Sequence, residues 1–383
     1  MKSKSLVSIV KGEDPIISTK KAINLLGGIN KIIKKDDKIL IKPNLVVPLP
    51  NETGVTTSPL VVKAIIELLK QNGNEKITVG DSPFFPFKAK DCFERTGMKE
   101  IIKDMDTEIA YFDEEEYISV ENSQGKLLKE INLPKSIVNC DAIISVPKMK
   151  CHSQTKVSLS LKNQIGVLSP KDKQIFHRDD LHQKIIDCFV ALRNKLKLSV
   201  MDALVSLEGQ GPTYGNPVKL DLVLASQDFL ALDSVSCEIM DHKLMEVAYL
   251  RLAAQEKLGE FDIGNIEILG EKIQDIKHPF IKASQELIGV YPNVHVYVGG
   301  ACKIGCFAWG RVAIDSLVKK GELDKYGDIS IIMGIDPHIP EKLIGTVFVI
   351  GDCAKKYQDK GIFIPGCPPF MTYKEVRENL MKK

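Results

Sequence analysis

The feature that most constrains the fold of this chain is an alternation between short β-branched runs and longer amphipathic segments. The short runs predict strands at residues 6–10, 38–41, 76–79, 142–146, 198–201, 221–225 and 266–269. The longer segments predict helices, the clearest of which begins at Thr57-Ser58-Pro59 with a capping hydroxyl and an N1 proline, and others span 181–196 and 229–240. This βαβ pattern predicts an α/β protein with a mainly parallel, Rossmann-like sheet.

The length of 383 residues leaves room for two or three domains. We expect an α/β domain over residues 1–280, with an acidic edge insertion at about 104–133. A second, smaller α/β domain with a cysteine-rich sequence is expected over 281–383, with strands at 294–298, 329–333 and 347–350 and helices at 309–320 and 372–381. The carboxylate run in the insertion is more typical of a solvated face than of a cation site.

Charge and hydropathy exclude several classes of protein. The 52 basic and 50 acidic side chains leave a net charge of +2, too small a field to predict nucleic acid or an anionic membrane as partner. No apolar run approaches the roughly 20 residues that span a bilayer, and the N-terminal residues lack a secretory apolar stretch. We therefore expect a cytoplasmic protein with no nucleic-acid or membrane partner.

Polar side chains follow four of the predicted strands. Ligands of open parallel sheets bind beyond the carboxyl ends of the strands, so these side chains are expected to share one edge. They are Lys42, Asn44, Asp81, Ser82, Lys148, Lys150, His152 and Asp202. Each loop taken alone is also explained by exposure to water, but four together favour a binding site.

The longest polar connection, residues 147–182, is predicted to be an ordered functional loop that also carries Lys162, Asn163, His177 and Arg178. Lys148, Lys150, Lys162 and Arg178 would bind the carboxylate or phosphate of an anionic small molecule or cofactor. His152 and His177 would transfer protons, and Asp81 or Asp202 would orient a histidine or lysine. Backbone N–H groups at residues 56–58 could contact the same anion. Structural roles for the histidines remain the alternative.

A glycine-rich segment, residues 209–215, follows the strand that contains Asp202. It matches neither the dinucleotide-binding nor the Walker order of glycines. Gly211 could allow close approach of the backbone to a ligand, and a simple turn explains the segment equally well.

Four of the nine cysteines, Cys302, Cys306, Cys353 and Cys367, lie close together in the C-terminal part of the sequence. An odd number of cysteines in an intracellular chain argues against a disulfide framework. Four thiolates suit zinc or an iron–sulfur cluster, and one Cx3C pair plus two single cysteines fits a [4Fe-4S] cluster better than zinc knuckles. The alternative is four buried structural thiols. Cys151, next to His152, is interpreted as a packed side chain rather than an activated thiolate.

Two sequence resemblances support these assignments. Gly351-Asp352-Cys353 with Gly366-Cys367-Pro368-Pro369 is similar to cluster-binding segments in the small subunits of nickel–iron hydrogenases and of the related quinone-reducing complex. That resemblance implies a [4Fe-4S] cluster and does not imply hydrogenase activity.

The second resemblance is to the family called domain of unknown function 362. It rests on Ile41-Lys42-Pro43-Asn44, Val79-Gly80-Asp81-Ser82, residues 147–152 and 161–166, His177-Arg178, Gly211-Pro212, Asp228 and Asp233. The family implies an association with iron–sulfur clusters, commonly through an appended ferredoxin module. This chain lacks the CxxCxxCxxxCP run of such a module, so its cluster would be held by the four C-terminal cysteines. A distant similarity to nickel-pincer lactate racemases carries no residues over.

Together these features predict an iron–sulfur redox enzyme of an anaerobic type, acting on an anionic small molecule or cofactor bound between the two domains. One alternative is a metal-dependent isomerase or racemase that uses His152 and His177. Another is an electron or cluster carrier without chemistry of its own. An electron-transfer protein partner and a homodimer are both compatible with the sequence.

Overall fold

The computed structural model, which describes residues 4–84, 86–176, 180–284, 286–301 and 303–382, contains a large sheet, a four-stranded sheet and a two-stranded hairpin. The chain divides into unit 1, which comprises Met1–Lys173 and Leu181–Lys282, and unit 2, which comprises Gln174–Asp180 and Ala283–Lys383. The mixed α/β class expected from the sequence is confirmed, because helices alternate with strands in both units. No helix among the described residues has the length and apolar character that crossing a bilayer requires.

The strands of unit 1 build a large, mainly parallel sheet and a separate hairpin. They are β1 (Ser5–Lys11), β2 (Ile39–Lys42), β3 (Ile77–Asp81), β4 (Glu108–Tyr111), β5 (Tyr117–Glu121), β6 (Glu130–Pro134), β7 (Ala142–Ser145), β8 (Lys148–His152), β9 (Lys156–Ser158), β10 (Leu196–Glu208), β11 (Asn216–Ser226) and β12 (Ile266–Gly270). The order along the large sheet is β12-β1-β11-β10-β7-β2-β3-β4. Strand β11 is antiparallel to both neighbours, whereas the other pairs along this path are parallel.

The long strand β10 extends beyond the carboxyl end of its neighbour β7. Its first residues pair with β7, and its later residues pair with β8, which follows β7 after a two-residue link. Strand β9 then folds back antiparallel to β8. The chain therefore continues past the carboxyl end of β7 as ordered strand, next to the carboxyl ends of β2 and β3.

Helices connect these strands and cover the sheet. They are α1 (Pro15–Leu25), α2 (Pro59–Gln71), α3 (Ala89–Arg95), α4 (Met98–Ile102), α5 (Lys135–Asn139), α6 (Ser160–Asn163), α7 (Pro170–Ile175), α8 (Leu181–Leu192), α9 (Phe229–Ile239), α10 (Ala248–Gln255) and α11 (Ile273–Ile276). All belong to unit 1 except the last two residues of α7, which belong to unit 2. In α2, apolar residues at helical spacing, including Val61, Ile65 and Leu69, are fully buried in the core of unit 1.

Unit 2 contains a four-stranded, fully parallel sheet with its own core. Its strands are β13 (Val294–Val298), β14 (Ile329–Met333), β15 (Thr346–Ile350) and β16 (Ile362–Ile364), in that order. Helices α12 (Ala308–Lys319) and α13 (Thr372–Met381) belong to this unit. Ile314 and Leu317 of α12 pack with Ile331 and Phe348 of the sheet in a core that is separate from that of unit 1.

Three local expectations were wrong. The segment 147–182 is not a loop, because it contains β8, β9, α6 and α7. The helix expected over 181–196 ends at Leu192, since Leu196 already pairs with Ile143 as the first residue of β10. Ser58 lies at the N-cap of α2, but its side chain makes no capping hydrogen bond.

The acidic segment near 104–133, which was expected at the edge of the sheet, contains β4 and the antiparallel hairpin of β5 and β6. Strand β4 is the edge strand of the large sheet.

Candidate functional site

Strand β8 presents lysines and a histidine on one face. Lys148, Lys150 and His152 occupy every second position of the strand, the period at which strand side chains return to the same side. All three are buried, with Lys148 and Lys150 at 1% exposure each and His152 at 7%. Buried lysine is rare unless it is paired, so this face must be explained by its partners.

Two of the buried lysines have a carboxylate partner. Lys42, at the end of β2, places Nζ 2.8 Å from Asp81 Oδ1 at the end of the neighbouring strand β3. Lys148 places Nζ 2.9 Å from Asp202 Oδ2 in β10. Each aspartate thus orients a lysine, and both pairs are almost completely removed from solvent.

The two aspartates also accept hydrogen bonds from backbone N–H groups of the site. Asp81 Oδ2 accepts the N–H of Leu45 at 2.7 Å, and Asp202 Oδ2 accepts the N–H of Ser58 at the same distance. The N–H of Thr57 donates to the carbonyl of Asn44. The expectation that residues 56–58 offer free N–H groups to an anion was therefore wrong for Thr57 and Ser58, whose N–H groups already have protein acceptors.

Three further buried lysines hydrogen-bond only neutral oxygens among the described residues. Lys150 Nζ donates to Asn44 Oδ1 at 2.6 Å and to the carbonyl of Val55 at 3.0 Å. Lys162 Nζ donates to Thr155 Oγ1 at 3.0 Å. Lys173 Nζ donates to the carbonyls of Ser82, Pro83 and Gly166. Of the five buried lysines in the described part of the site, only Lys42 and Lys148 form an ion pair with a carboxylate.

Burial lowers the pKa of these three lysines. Desolvation, reinforced by the charges of Lys148 and Lys42, lowers the pKa of Lys150 to about 7. Desolvation also lowers the pKa of Lys173 to about 7. For Lys162, desolvation and the nearby charge of Lys150 hold the pKa well below its ordinary value. An ammonium group is costly to bury without a counter-ion, which is the physical cause of all three shifts.

Helix α6 brings Lys162 and Asn163 to this edge of the sheet. Asn163 Nδ2 donates to Ser145 Oγ at 2.9 Å, and its Oδ1 lies 3.4 Å from Asn44 Nδ2. The N-terminal end of α6 is anchored by Asp233 of α9, whose two oxygens accept the N–H groups of Ser160 and Leu161 at 2.7 and 3.0 Å. Burial raises the pKa of Asp233 to about 7.

Two glycines of the site, Gly166 and Gly211, pack closely against neighbouring protein atoms. Gly211 was expected to let the backbone approach a ligand. A Cβ at Gly166 would collide with Lys42 Nζ and Asp81 Oδ1, so the chain passes directly against this ion pair. A Cβ at Gly211 would collide with the carbonyl of Cys151. Gly211 therefore allows close approach to the backbone of β8. Ser82 Oγ is buried and has no hydrogen-bond partner among the described residues, so this hydroxyl is available to a ligand.

His152 and Cys151 lie on opposite faces of β8. His152 Nδ1 accepts the backbone N–H of Gln154 at 3.1 Å, which in the neutral ring places the proton on Nε2. Cys151 is fully buried, and its Sγ lies 3.4 Å from Nε2 of His242. Burial lowers the pKa of His242 to about 4, so this imidazole is neutral at pH 7.

The structure brings the candidate residues at the strand ends close to those of α6. It does not describe every candidate residue. His177, Arg178 and Cys302 lie outside the described residues. Sequence reasoning missed Lys173 and Thr155, both of which contact the site. No signal in the sequence separates Lys173 from its neighbour Lys171, because only the long-range carbonyl partners of Lys173 distinguish the two.

The cysteine-bearing loops of unit 2 leave the carboxyl ends of its parallel strands. Cys306 lies in a short kinked segment between β13 and α12, in which the backbone of Gly305 is not helical, whereas Cys353 follows β15 and Cys367 follows β16. Cys306 is buried, whereas Cys353 and Cys367 are exposed. The strands are parallel, so the three loops share one edge of the sheet.

Backbone contacts tie these loops together. Asp352, which precedes Cys353, accepts the N–H of Gly366 at 2.7 Å, and Gly366 precedes Cys367. A Cβ at Gly351 would lie 2.6 Å from Cys306 Sγ, so this thiol packs against the Cys353 loop. These side chains are thiols, the donor type that ligates iron–sulfur clusters. Within the described ranges, which omit Cys302, no three His, Cys, Asp or Glu side chains form a metal-binding group.

The fold and the lysine site define an α/β protein with a buried cationic site at the carboxyl ends of parallel strands. Residues 39–238 match the family described as "Domain of unknown function (DUF362)", and the chain belongs to this family, as its strand-end motifs predicted. The matched range includes β2 through most of α9, and therefore all of the buried lysines described above.

Two further similarities concern a curated protein and a solved structure. The thylakoid-associated protein sll1697 of Synechocystis sp. is 29% identical over 250 residues, which cover 64% of this chain and 75% of that protein. The lactate racemase apoprotein from Thermoanaerobacterium thermosaccharolyticum has a TM-score of 0.40 and 11% identity, with 100% of this chain and 91% of that chain covered.

Proposed function

We propose that this chain is an iron–sulfur redox enzyme that binds an anionic small molecule at the lysine site of unit 1. The observation that carries the anion site is the charge imbalance of that site. Lys150, Lys162 and Lys173 are buried without a carboxylate among the described residues, whereas Lys42 and Lys148 each have one. A carboxylate or phosphate would compensate the cost of burying this charge.

Individual residues have distinct roles in this proposal. Lys150 binds the anion, Lys162 is a second N–H donor to the ligand, and the buried hydroxyl of Ser82 supplies a neutral hydrogen bond. Lys42 and Lys148 are held by Asp81 and Asp202 and position the strand ends. His152 lies on the same face of β8 as Lys150 and transfers a proton through Nε2.

A [4Fe-4S] cluster is the proposed resident cofactor of unit 2. Cys302, Cys306, Cys353 and Cys367 would hold it, and the shared strand edge of the three described cysteines supports this assignment. When bound, the cluster would supply single electrons or a Lewis-acidic iron. Asp352 and Gly366 keep the two exposed cysteine loops together through their hydrogen bond.

Anaerobic purification tests the cofactor directly. Iron, acid-labile sulfide, zinc and nickel are determined on one sample, together with visible spectra before and after dithionite. We expect about four irons and four sulfides per chain and a broad band that dithionite bleaches. Cys353→Ser and Cys367→Ser should each lose iron, whereas Cys188→Ser, which removes a buried thiol of α8 in unit 1, should retain it. Zinc without sulfide would contradict the cluster, and nickel would favour an isomerase or racemase.

Calorimetric titration tests the anion site. Acetate, succinate and inorganic phosphate serve as probes, with Lys150→Met as the site variant and Lys63→Met, on the surface of α2, as the matched control. At least one probe should bind the wild type and the control, and binding should weaken by about tenfold or more in Lys150→Met. Equal affinities in all three proteins would contradict the proposal. Reversible reduction without any spectral change on adding the bound anion would favour an electron carrier.

A further inference from the structure

The side chain of Lys162 has an environment suited to a neutral amine. Its Nζ lies 3.0 Å from Thr155 Oγ1, and this hydroxyl lies 2.9 Å from the carbonyl of Val157. Because a carbonyl can only accept, the single hydroxyl hydrogen of Thr155 is used in that bond. Thr155 therefore accepts a hydrogen from Lys162 and leaves the nitrogen lone pair of a neutral amine unengaged.

Lys173 provides the contrasting case within the same site. Its Nζ has three carbonyl acceptors, from Ser82, Pro83 and Gly166, which match the three hydrogens of an ammonium group. Lys162 has one hydroxyl acceptor among the described residues. An ammonium group is thus well solvated by the protein at Lys173 and poorly solvated at Lys162, although both side chains are buried.

The charge of Lys150 acts in the same direction. This neighbouring cation, together with burial, lowers the pKa of Lys162. A lysine that is desolvated beside a second cation is a recognised form of activated amine nucleophile. The same second cation provides a binding group for a carboxylate. The two lysines therefore suit a small acid that carries both a carboxylate and a carbonyl group, of which 2-oxo acids are the simplest.

Building on the proposed anion site, we propose that Lys162 forms an imine with the carbonyl carbon of a small 2-oxo acid whose carboxylate binds at Lys150. In this step the lone pair of Nζ attacks the carbonyl carbon and a C–N bond forms. The carbonyl C–O bond then breaks, and the oxygen leaves as water with the two hydrogens that the amine loses. No electrons are gained or lost, so the step needs no oxidant or reductant.

Reductive trapping tests the imine. The anaerobically purified protein is incubated with pyruvate or glyoxylate and sodium cyanoborohydride, and its peptides are then mapped by mass spectrometry. Hydride addition converts an imine into a stable secondary amine, so the modified peptide gains the mass of the acid minus one oxygen atom. We expect this adduct on Lys162 at a level about tenfold or more above that on Lys173, the internal control. Equal labelling of the two lysines, or no adduct on Lys162, would overturn the inference.

A binding measurement tests the imine and the anion site independently of each other. Lactate, which has a carboxylate but no carbonyl group, is titrated alongside pyruvate into the wild type, Lys150→Met and Lys162→Arg. If both acids bind the wild type and no adduct forms, the imine is wrong and the anion site stands. If neither lactate, pyruvate nor the earlier probes bind, the anion site fails as well. Lys162→Arg removes the primary amine that the imine requires and leaves Lys150 in place, so it should bind lactate and yield no adduct.

Discussion

The buried ion pair between Lys148 and Asp202 shows how single residues determine this site. Both side chains are at 0% exposure, and one oxygen of Asp202 accepts hydrogen bonds from Lys148 and from the backbone of Ser58. Removing one partner of such a pair leaves an uncompensated charge in a medium of low polarity. The surface pair of Lys70 and Asp106, in which the aspartate is 98% exposed, lacks this penalty.

The substitution Asp202→Asn should therefore lower the free energy of unfolding by about 3 kcal/mol or more. The amide keeps the shape of the side chain but loses the charge that compensates Lys148. Asp106→Asn is the matched control and should cost less than about 1 kcal/mol, because exposed pairs contribute little. Urea unfolding of both variants measures the difference, and similar losses would contradict this account of the buried pair.

Lys150 predicts a pH dependence of stability. Its pKa is about 7 in the folded protein, against an ordinary value of 10.5. Between these values the unfolded chain binds more protons than the folded protein, so the contribution of Lys150 to stability rises with pH. In buffer without a binding anion, Lys150→Met should flatten the rise in stability from pH 7 to 9, by up to about 1.4 kcal/mol per pH unit. Parallel curves for wild type and variant would contradict the shift.

At the scale of elements, one buried aspartate attaches the hairpin of β5 and β6 to helix α8. Asp187 of α8 accepts the backbone N–H groups of Lys126, Leu127 and Leu128 at 3.0, 2.7 and 2.8 Å. These residues lie in the connection between the two strands, which form a sheet of their own. An isolated two-stranded hairpin is marginally stable, so its attachment to α8 contributes to its order.

The variant Asp187→Ala should release this hairpin without unfolding the large sheet. We expect amide hydrogen exchange to become faster over residues 117–134 and to stay slow in β2 and β7. Asp172→Ala is the control, since Asp172 reaches the hairpin through one hydrogen bond of 3.3 Å from Asn132. Unchanged exchange in the hairpin of Asp187→Ala would show that strand pairing alone orders it.

Elements with a local pattern could be predicted from the sequence, and elements stabilised by distant partners could not. Strands β13 and β14 have the predicted bounds because their β-branched runs end at loops. Strand β8 was missed, because Lys148, Lys150 and His152 give it the appearance of a polar loop. Its burial depends on Asp202, Asn44 and Val55, which are 54 or more residues away in sequence. The proximity of Lys42 and Asp81 was predictable from parallel strand ends, but their ion pair was not.

At the scale of the whole molecule, the two units have separate hydrophobic cores. The substitution Leu317→Ala removes a fully buried side chain of α12 and should lower the stability of unit 2 by roughly 2–5 kcal/mol. Val318→Ala, at a neighbouring position with 42% exposure, should change stability by less than about 0.5 kcal/mol. Hydrogen exchange resolved by unit is the measurement. Slow exchange in β2 and β7 of Leu317→Ala is expected, and faster exchange there would show that the units unfold together.

The alternation along β8 also restricts how the length of this part of the chain can change. Met149 and Cys151 occupy the positions between Lys148, Lys150 and His152, and all five residues are buried. Adding or deleting one residue in the link between β7 and β8 would exchange the two faces of β8 and direct a thioether and a thiol where the lysines and the histidine now lie. A change of two residues would restore the original facing. Related chains that keep the cationic site should therefore differ in the length of this link by even numbers of residues.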